Sequence, residues 1–164
     1  MTIYALVFAV AIPVLSITNV NGFKNCMCSE KKLAKALARM TYAFSNATCA
    51  KVNMITGEAY GSAYVFMNSK SIGADLVYAW NDAKIGTMDS TMAAKIMYPD
   101  ADAAEIKEKA SEYEKLQSSA TSAAARGYVD RIIEPADSRK YLVAAFEMLY
   151  TKYVDEPEKK HGTK

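Results

Sequence analysis

The sequence predicts an α/β fold with parallel strand pairings. Short apolar runs of strand length alternate with longer segments of helical period, the signature of strands joined by helical crossovers. Asn-Gly at 21–22, Gly57 and Gly73 punctuate these runs. Neither an internal repeat nor a flexible linker interrupts the alternation. At 164 residues the chain fits one domain with a real core, so residues 1–164 read as a single unit.

The elements follow in order. "MTIYALVFAVAIPVLSITNV" is apolar enough and long enough for a membrane span, but it lacks Lys or Arg flanks and Pro13 interrupts it. A positive first region, which a signal peptide requires, is also missing, although Ala9-Val10-Ala11 resembles a cleavage site. The segment therefore reads as a short buried helix, a break at Ile12-Pro13, and a buried strand from Val14 to Thr18. Residues 19–29 form a turn-rich loop. Ser29 is expected to cap a helix reaching about Asn46, with Leu33, Leu37, Met40 and Phe44 at helical spacing. "AKVNMIT" (50–56) reads as a strand ended by a turn at Gly57. A helix then runs from about Gly61 to Gly73, the glycine standing just past its end.

Strands are expected at 75–80 and 83–88. "STMAAKIMY" forms an apolar-faced helix, and a charged, Ala-rich helix covers about 101–118 with its charges in solvent. A further helix reaches Arg126, Tyr128-Val129 form an extended step, and a last helix starts near Ala136. The charged tail from about 154 to 164 is expected to be disordered.

Composition excludes some functions. Apolar residues make up 51% and charged residues 23%, which is ordinary for a soluble globular chain. A net charge of +2 with no basic stripe gives no footprint for nucleic acid. The three cysteines, Cys26, Cys28 and Cys49, cannot all pair within one chain, and reduced thiols in the cytoplasm are the simpler reading. Cys26, Cys28 and the single His161 make at most an incomplete ligand set, so no metal is expected.

"AYGSAY" (59–64) carries the chemistry. A strand feeding a tight small-residue turn into a helix leaves the first helical N–H groups without internal partners, pointing at an incoming oxygen. Small side chains admit that oxygen. Close packing of the helix against a neighbour would also demand Gly, Ser and Ala, and the residues alone leave both readings open.

A resemblance favours the first. The stretch "TYAFSNATCAKVNMITGEAYGSAYVFMNSKSIGADLVYAWNDAKIGTM" looks like the C-terminal half of biotin-dependent acyl-CoA carboxyltransferase subunits. These are the β subunits of propionyl-CoA carboxylase and the carboxyltransferase subunits of transcarboxylase and of sodium-pumping decarboxylases. "ARGYVDRIIEPADSRKYL" resembles the same family's later signature, and "NVNGF" stands where the family has a V-P-G-F loop. The match runs from about Ile12 to Thr151.

The resemblance implies a crotonase-like ββα spiral, with this chain as the half that faces carboxybiotin. It implies carboxyl transfer between carboxybiotin and an acyl-CoA of the propionyl or methylmalonyl type. The partners would be a biotin carboxyl carrier protein and a matching N-terminal, CoA-facing half, in a homo- or hetero-oligomer. Biotin would be the cofactor, with no metal. By position, the oxyanion donors fall on the backbone N–H groups of Ser62 and Ala63, with Gly61 shaping the turn. Gly22 and Phe23 would border the biotin pocket. Tyr60 is a candidate contact that also reads as packing, as do Tyr64 and Trp80. Arg126 and Arg139 read as helix-end or structural charges, and Asp130 as a local cap.

Two departures bear on the site: Ser62 replaces the family's second glycine, and Asn21 the loop proline. A left-handed conformation at Ser62 would cost ~1–2 kcal/mol. The alternative reading is a non-catalytic assembly or scaffold half of such a complex, and a membrane-tethered domain using residues 1–20 is a third.

Overall fold

The computed structural model describes residues 12–24 and 26–155, with the backbone alone for residues 28–30. The helix expected before Ile12 and the part of the tail beyond 155 expected to be disordered lie outside the described residues, as does His161.

A parallel sheet organises these residues. Strand β2 (Lys51–Tyr60) is its hub. On one edge it pairs with β1 (Val14–Val20), from Val14 opposite Lys51 to Val20 opposite Ala59. On the other edge it pairs first with β3 (Leu76–Trp80), through residues 52–55, and then with β4 (Lys84–Gly86), through residues 58–60. Strand β5 (Arg131–Ile133) adds to the far side of β3.

β1 carries an inverted pattern. Its polar Ser16 and Thr18 point inward, whereas Leu15 and Ile17 are exposed, so it is a half-exposed edge strand rather than a buried one. The polar face is accommodated because Asn53 of β2 is fully buried beside it, and the Thr18 hydroxyl donates to Asn53 Oδ1 at 2.7 Å.

The turn expected at Gly57 does not exist: β2 runs straight through it for ten residues. The register between Thr18 and Val20 shifts there, and the Asn19 side chain fills the gap by accepting from the Glu58 N–H at 3.0 Å. A Cβ on Gly57 would sit 2.8 Å from that Asn19 oxygen. The glycine serves this close approach, not a change of direction.

Helix α1 (Met27–Asn46) starts two residues before Ser29, with Cys26 at its N-cap and no side-chain capping bond. Among its described side chains only Phe44, in the last turn, is buried, and Met27, Lys31 and Lys32 near its start are exposed. The helix expected from Gly61 to Gly73 is two pieces. Helix α2 (Gly61–Phe66) stops at Met67, Asn68 adopts a left-handed φ of 59°, and a 3₁₀ turn (Lys70–Ile72) follows. Asn68 is fully buried and donates to the Val52 carbonyl at 3.4 Å, which ties the break to the sheet. Gly73 caps the 3₁₀ turn at φ 96°.

Helices α3 (Ser90–Met97) and α4 (Ala103–Tyr113) form a packed pair, capped by the carboxylates of Asp89 and Asp102. The single charged helix expected to reach Ser118 loosens at Glu114–Ser118 into a π turn. Helix α5 (Ala120–Ala125) starts at Ser119, whose hydroxyl accepts from the Ser122 N–H, and Arg126 is its C-cap. The extended step at Tyr128-Val129 leads into β5, a strand too short to be legible as one. A 3₁₀ turn at Pro135–Asp137 precedes helix α6 (Ser138–Met148).

The two sheet faces hold separate cores. Ile55, Val77 and Ala79 face α5, where Ala120 and Ala123 allow a close approach. Val52, Met54 and Tyr78 face α6, which contributes Tyr141, Leu142 and Ala145. Two polar links frame this second core: Trp80 Nε1 donates to the Ser138 hydroxyl at 2.9 Å, and Asp75 holds Lys152 beyond α6.

Candidate functional site

The end of β2 delivers the chain to the site. Ala59 is paired on both edges, with Val20 and Ile85, and Tyr60 with Gly86, and Gly61 then turns the backbone at φ 61° into α2. A side chain there would meet two objections. The left-handed conformation costs a non-glycine residue about 1–2 kcal/mol, and a Cβ would lie 3.1 Å from the Thr87 carbonyl oxygen. Gly61 therefore carries the left-handed bend, and Ser62 does not: Asn68 is the one described non-glycine residue at positive φ. The serine in place of glycine imposes no backbone strain.

No side chain caps α2. Among the described residues, the N–H groups of Ser62 and Ala63 donate to no acceptor outside the helix. They belong to the first turn, whose amides have no acceptor within an ideal helix.

The Gly61-Ser62 end of this turn stands beside a cleft of about 520 Å³. Gly61 and Ser62 form part of its wall, facing Thr87 after β4, Gln117 of the π turn, and Arg126 and Tyr128 after α5. Ala63 is 2% exposed and is not part of that wall. Among the described residues, the ionisable side chains of the cleft are Arg126 and the phenols of Tyr64, Tyr113 and Tyr128, and no carboxylate lines it.

Tyr64 forms the inner side. Its hydroxyl is buried without a hydrogen-bond partner, and burial, aided by the neighbouring Tyr128, pushes its pKa up to about 12. Burial disfavours the phenolate in the folded state, so this group leaves stability intact below its unfolded value of about 10 and lowers it as pH climbs from 10 through 12. Alkaline titration should therefore cost the native protein about 2–3 kcal/mol through this group between about pH 10 and 12. Tyr64→Phe removes both the orphaned hydroxyl and the ionisation. Its expected result is unchanged or higher stability at pH 7, by up to about 1 kcal/mol, and a flatter loss above pH 10 in denaturant melts. A destabilised Tyr64→Phe would mean that the hydroxyl has a partner.

The other sequence candidates lie elsewhere. Tyr60 is 3% exposed and is not in the wall; burial, with lesser contributions from Asp89 and Glu58, raises its pKa to about 12. Gly22 has φ 127° in an exposed loop. Phe23 packs over the other end of α2, its ring 6.3 Å from that of Phe66. Arg126, Gln117 and Tyr128, by contrast, meet at the cleft although the sequence pointed to none of them as site residues. The Arg-Gly step could have drawn attention, because Gly127 at φ 81° turns the chain and leaves Arg126 at the mouth. Asp130 accepts from the Val77 N–H and pairs with Lys70 at 2.7 Å, bridging two elements rather than capping one. Among the described residues, no group of three His, Cys, Asp or Glu converges on a point. No described helix is long and apolar enough to cross a membrane.

Residues 5–163 match the family model for the carboxyl transferase domain. The chain is 44% identical over 158 residues to methylmalonyl-CoA decarboxylase subunit alpha of Propionigenium modestum, covering 92% of this chain and 31% of that protein. With the methylmalonyl-CoA carboxyltransferase 12S subunit of Propionibacterium freudenreichii subsp. shermanii the identity is 38% over 161 residues, covering 92% and 30%. A crystal structure of transcarboxylase 12S, described as a hexamer assembly with methylmalonyl-CoA and methylmalonic acid bound, superposes with a TM-score of 0.91 at 36% identity. That superposition covers 97% of this chain and 31% of the other. The chain thus spans about a third of the length of the relatives it matches.

Proposed function

Because this chain belongs to the carboxyl transferase domain family, we propose that it supplies the carboxybiotin-facing half of an acyl-CoA carboxyltransferase. Its fold is the crotonase-like α/β spiral of that family. The acyl-CoA would be of the propionyl or methylmalonyl type, the donor a biotin on a carrier protein in the cytoplasm, and a CoA-facing half would complete the site within an oligomer.

One observation supports this reading most: the unpartnered first-turn amides of Ser62 and Ala63, with Ser62 lining an open cleft. A cleft of about 520 Å³ has room for a bicyclic urea. Biotin supplies the carboxyl group and, once this has left as CO2, an acceptor for the substrate's α-proton. The chain's own contribution is to hold the urea oxygen. The Ser62 and Ala63 N–H groups donate to that oxygen as negative charge builds on it, and the left-handed Gly61 fixes their direction before the reaction starts. Among the described residues no carboxylate lines the wall to oppose the growing charge. Gly22 and Phe23 are proposed to border the biotin on the side where the partner half closes, and Tyr60 to hold the turn from beneath.

The test is reconstitution. Mixed with a CoA-facing half from a homologous subunit, the chain is expected to transfer carboxyl from free carboxybiotinamide to propionyl-CoA; alone it should not. Full activity without the added half would contradict the shared site, and inactivity with it would leave an assembly role.

A further inference from the structure

The cleft contains one full charge, and nothing in the described protein neutralises it. Arg126 lines the wall that also holds Gly61 and Ser62. Among the described residues it takes part in no ion pair, whereas Lys70, Lys84, Lys109 and Lys152 each hold a carboxylate. Its partners are neutral: the guanidinium donates to the side-chain oxygen of Gln117 and, at 3.4 Å, to the Gln117 backbone carbonyl.

The support for Arg126 is itself unusual. Gln117 belongs to the π turn at Glu114–Ser118, a geometry that is rare and frequent at functional sites. The turn also leaves the Ser118 hydroxyl buried with no partner. The only carboxylate in that turn, Glu114, is taken up by Lys84 at 3.0 Å and by the Ser90 hydroxyl. A costly backbone feature thus presents Gln117 to a guanidinium that has no anion, in a cleft of amide donors.

We propose that Arg126 is the binding residue for the carboxylate of the incoming carboxylated urea, the guanidinium fork taking its two oxygens while the α2 amides take the ring oxygen. The assignment rests on the reading of the cleft as the carboxybiotin site. It separates two tasks. Arg126 selects the charged donor over the uncharged, decarboxylated ring, and the amides serve both.

The experiment uses the full chain and two small probes: imidazolidone, a neutral cyclic urea, and its N-carboxymethyl derivative. Amide resonances of Ser62 and Ala63 and the Arg126 side-chain Nε–H are followed by NMR titration. The expected result is that the carboxylated urea binds about tenfold or more tighter than the neutral one. Arg126→Gln should abolish that preference without weakening the neutral probe, and Arg126→Lys should keep part of it. Arg126 is exposed, and unchanged melting of both variants confirms that they are folded. Equal affinities for the two probes, or a preference that survives in Arg126→Gln, would overturn the role of Arg126 and leave the cleft assignment standing. Inorganic phosphate displacing the carboxylated urea from Arg126, with tighter binding, would overturn it in favour of a phosphate site. Failure of either probe to move the Ser62 and Ala63 amides would overturn the cleft assignment, and this role with it.

Discussion

Ser62→Pro, in the chain reconstituted with a CoA-facing half, is expected to lower the rate of carboxyl transfer by about 10²–10³, the loss seen when one oxyanion donor is removed. Proline has no N–H, and the second position of a helix tolerates its fixed φ, so the substitution deletes a donor with little effect on α2. The fall should appear in kcat more than in KM, because the donor's contribution grows with the charge on the urea oxygen. Ser62→Ala is the control. It keeps the amide and removes only the hydroxyl, and it should retain transfer within about twofold, since Ser62 is assigned no role through its side chain. If Ser62→Pro were as active as Ser62→Ala, the α2 amides would not be the donors, and an assembly role would gain. If both were inactive, the hydroxyl itself would matter.

How much of this site was legible beforehand depends on which physics each residue obeys. Gly61 was legible because a strand-to-helix turn with no room for a Cβ leaves a compositional trace, and "AYGSAY" shows it. The alternation of strands and helices was legible for the same reason, since hydrophobic period follows from which face is buried. Gly57 misled because glycine serves turns and close approaches alike, and only the side chain of Asn19, brought in by β1, decides between them. The break at Asn68 was hidden because a buried amide donating to the Val52 carbonyl overrides helical propensity. β5, three residues long, is held by pairing with β3 and has no pattern of its own. The Arg-Gly step marks Arg126 but not as a cleft residue, because its setting depends on where a π turn places Gln117, and that turn has no sequence period.

The same limit hid a largely buried ion pair, and it gives the largest expected loss of stability. Asp75 sits just before β3 and accepts from the Lys51 N–H at 2.7 Å. It also holds the Lys152 ammonium with both oxygens, at 2.8 and 2.9 Å, across 77 residues of chain. Lys152 donates to the Cys49 carbonyl as well, so one cation closes the segment beyond α6 onto the start of β2. The side chains are only 16% and 19% exposed, which removes most of the screening that makes surface pairs nearly worthless. Asp75→Ala would leave a largely buried ammonium without its counter-ion and take an acceptor from the Lys51 amide. The expected cost is about 3–5 kcal/mol, or a fall in Tm of roughly 10 °C for a chain of this size. Lys152→Met should cost less, because the carboxylate keeps the Lys51 N–H and the methionine stem retains packing. In the double variant the two losses should fall short of their sum by about 1 kcal/mol or more, the mark of a direct interaction. Purely additive losses, or an Asp75→Ala effect under about 1 kcal/mol, would place this pair among ordinary surface ion pairs and leave α6 held by its apolar contacts with Val52, Met54 and Tyr78 and by the Trp80–Ser138 bond.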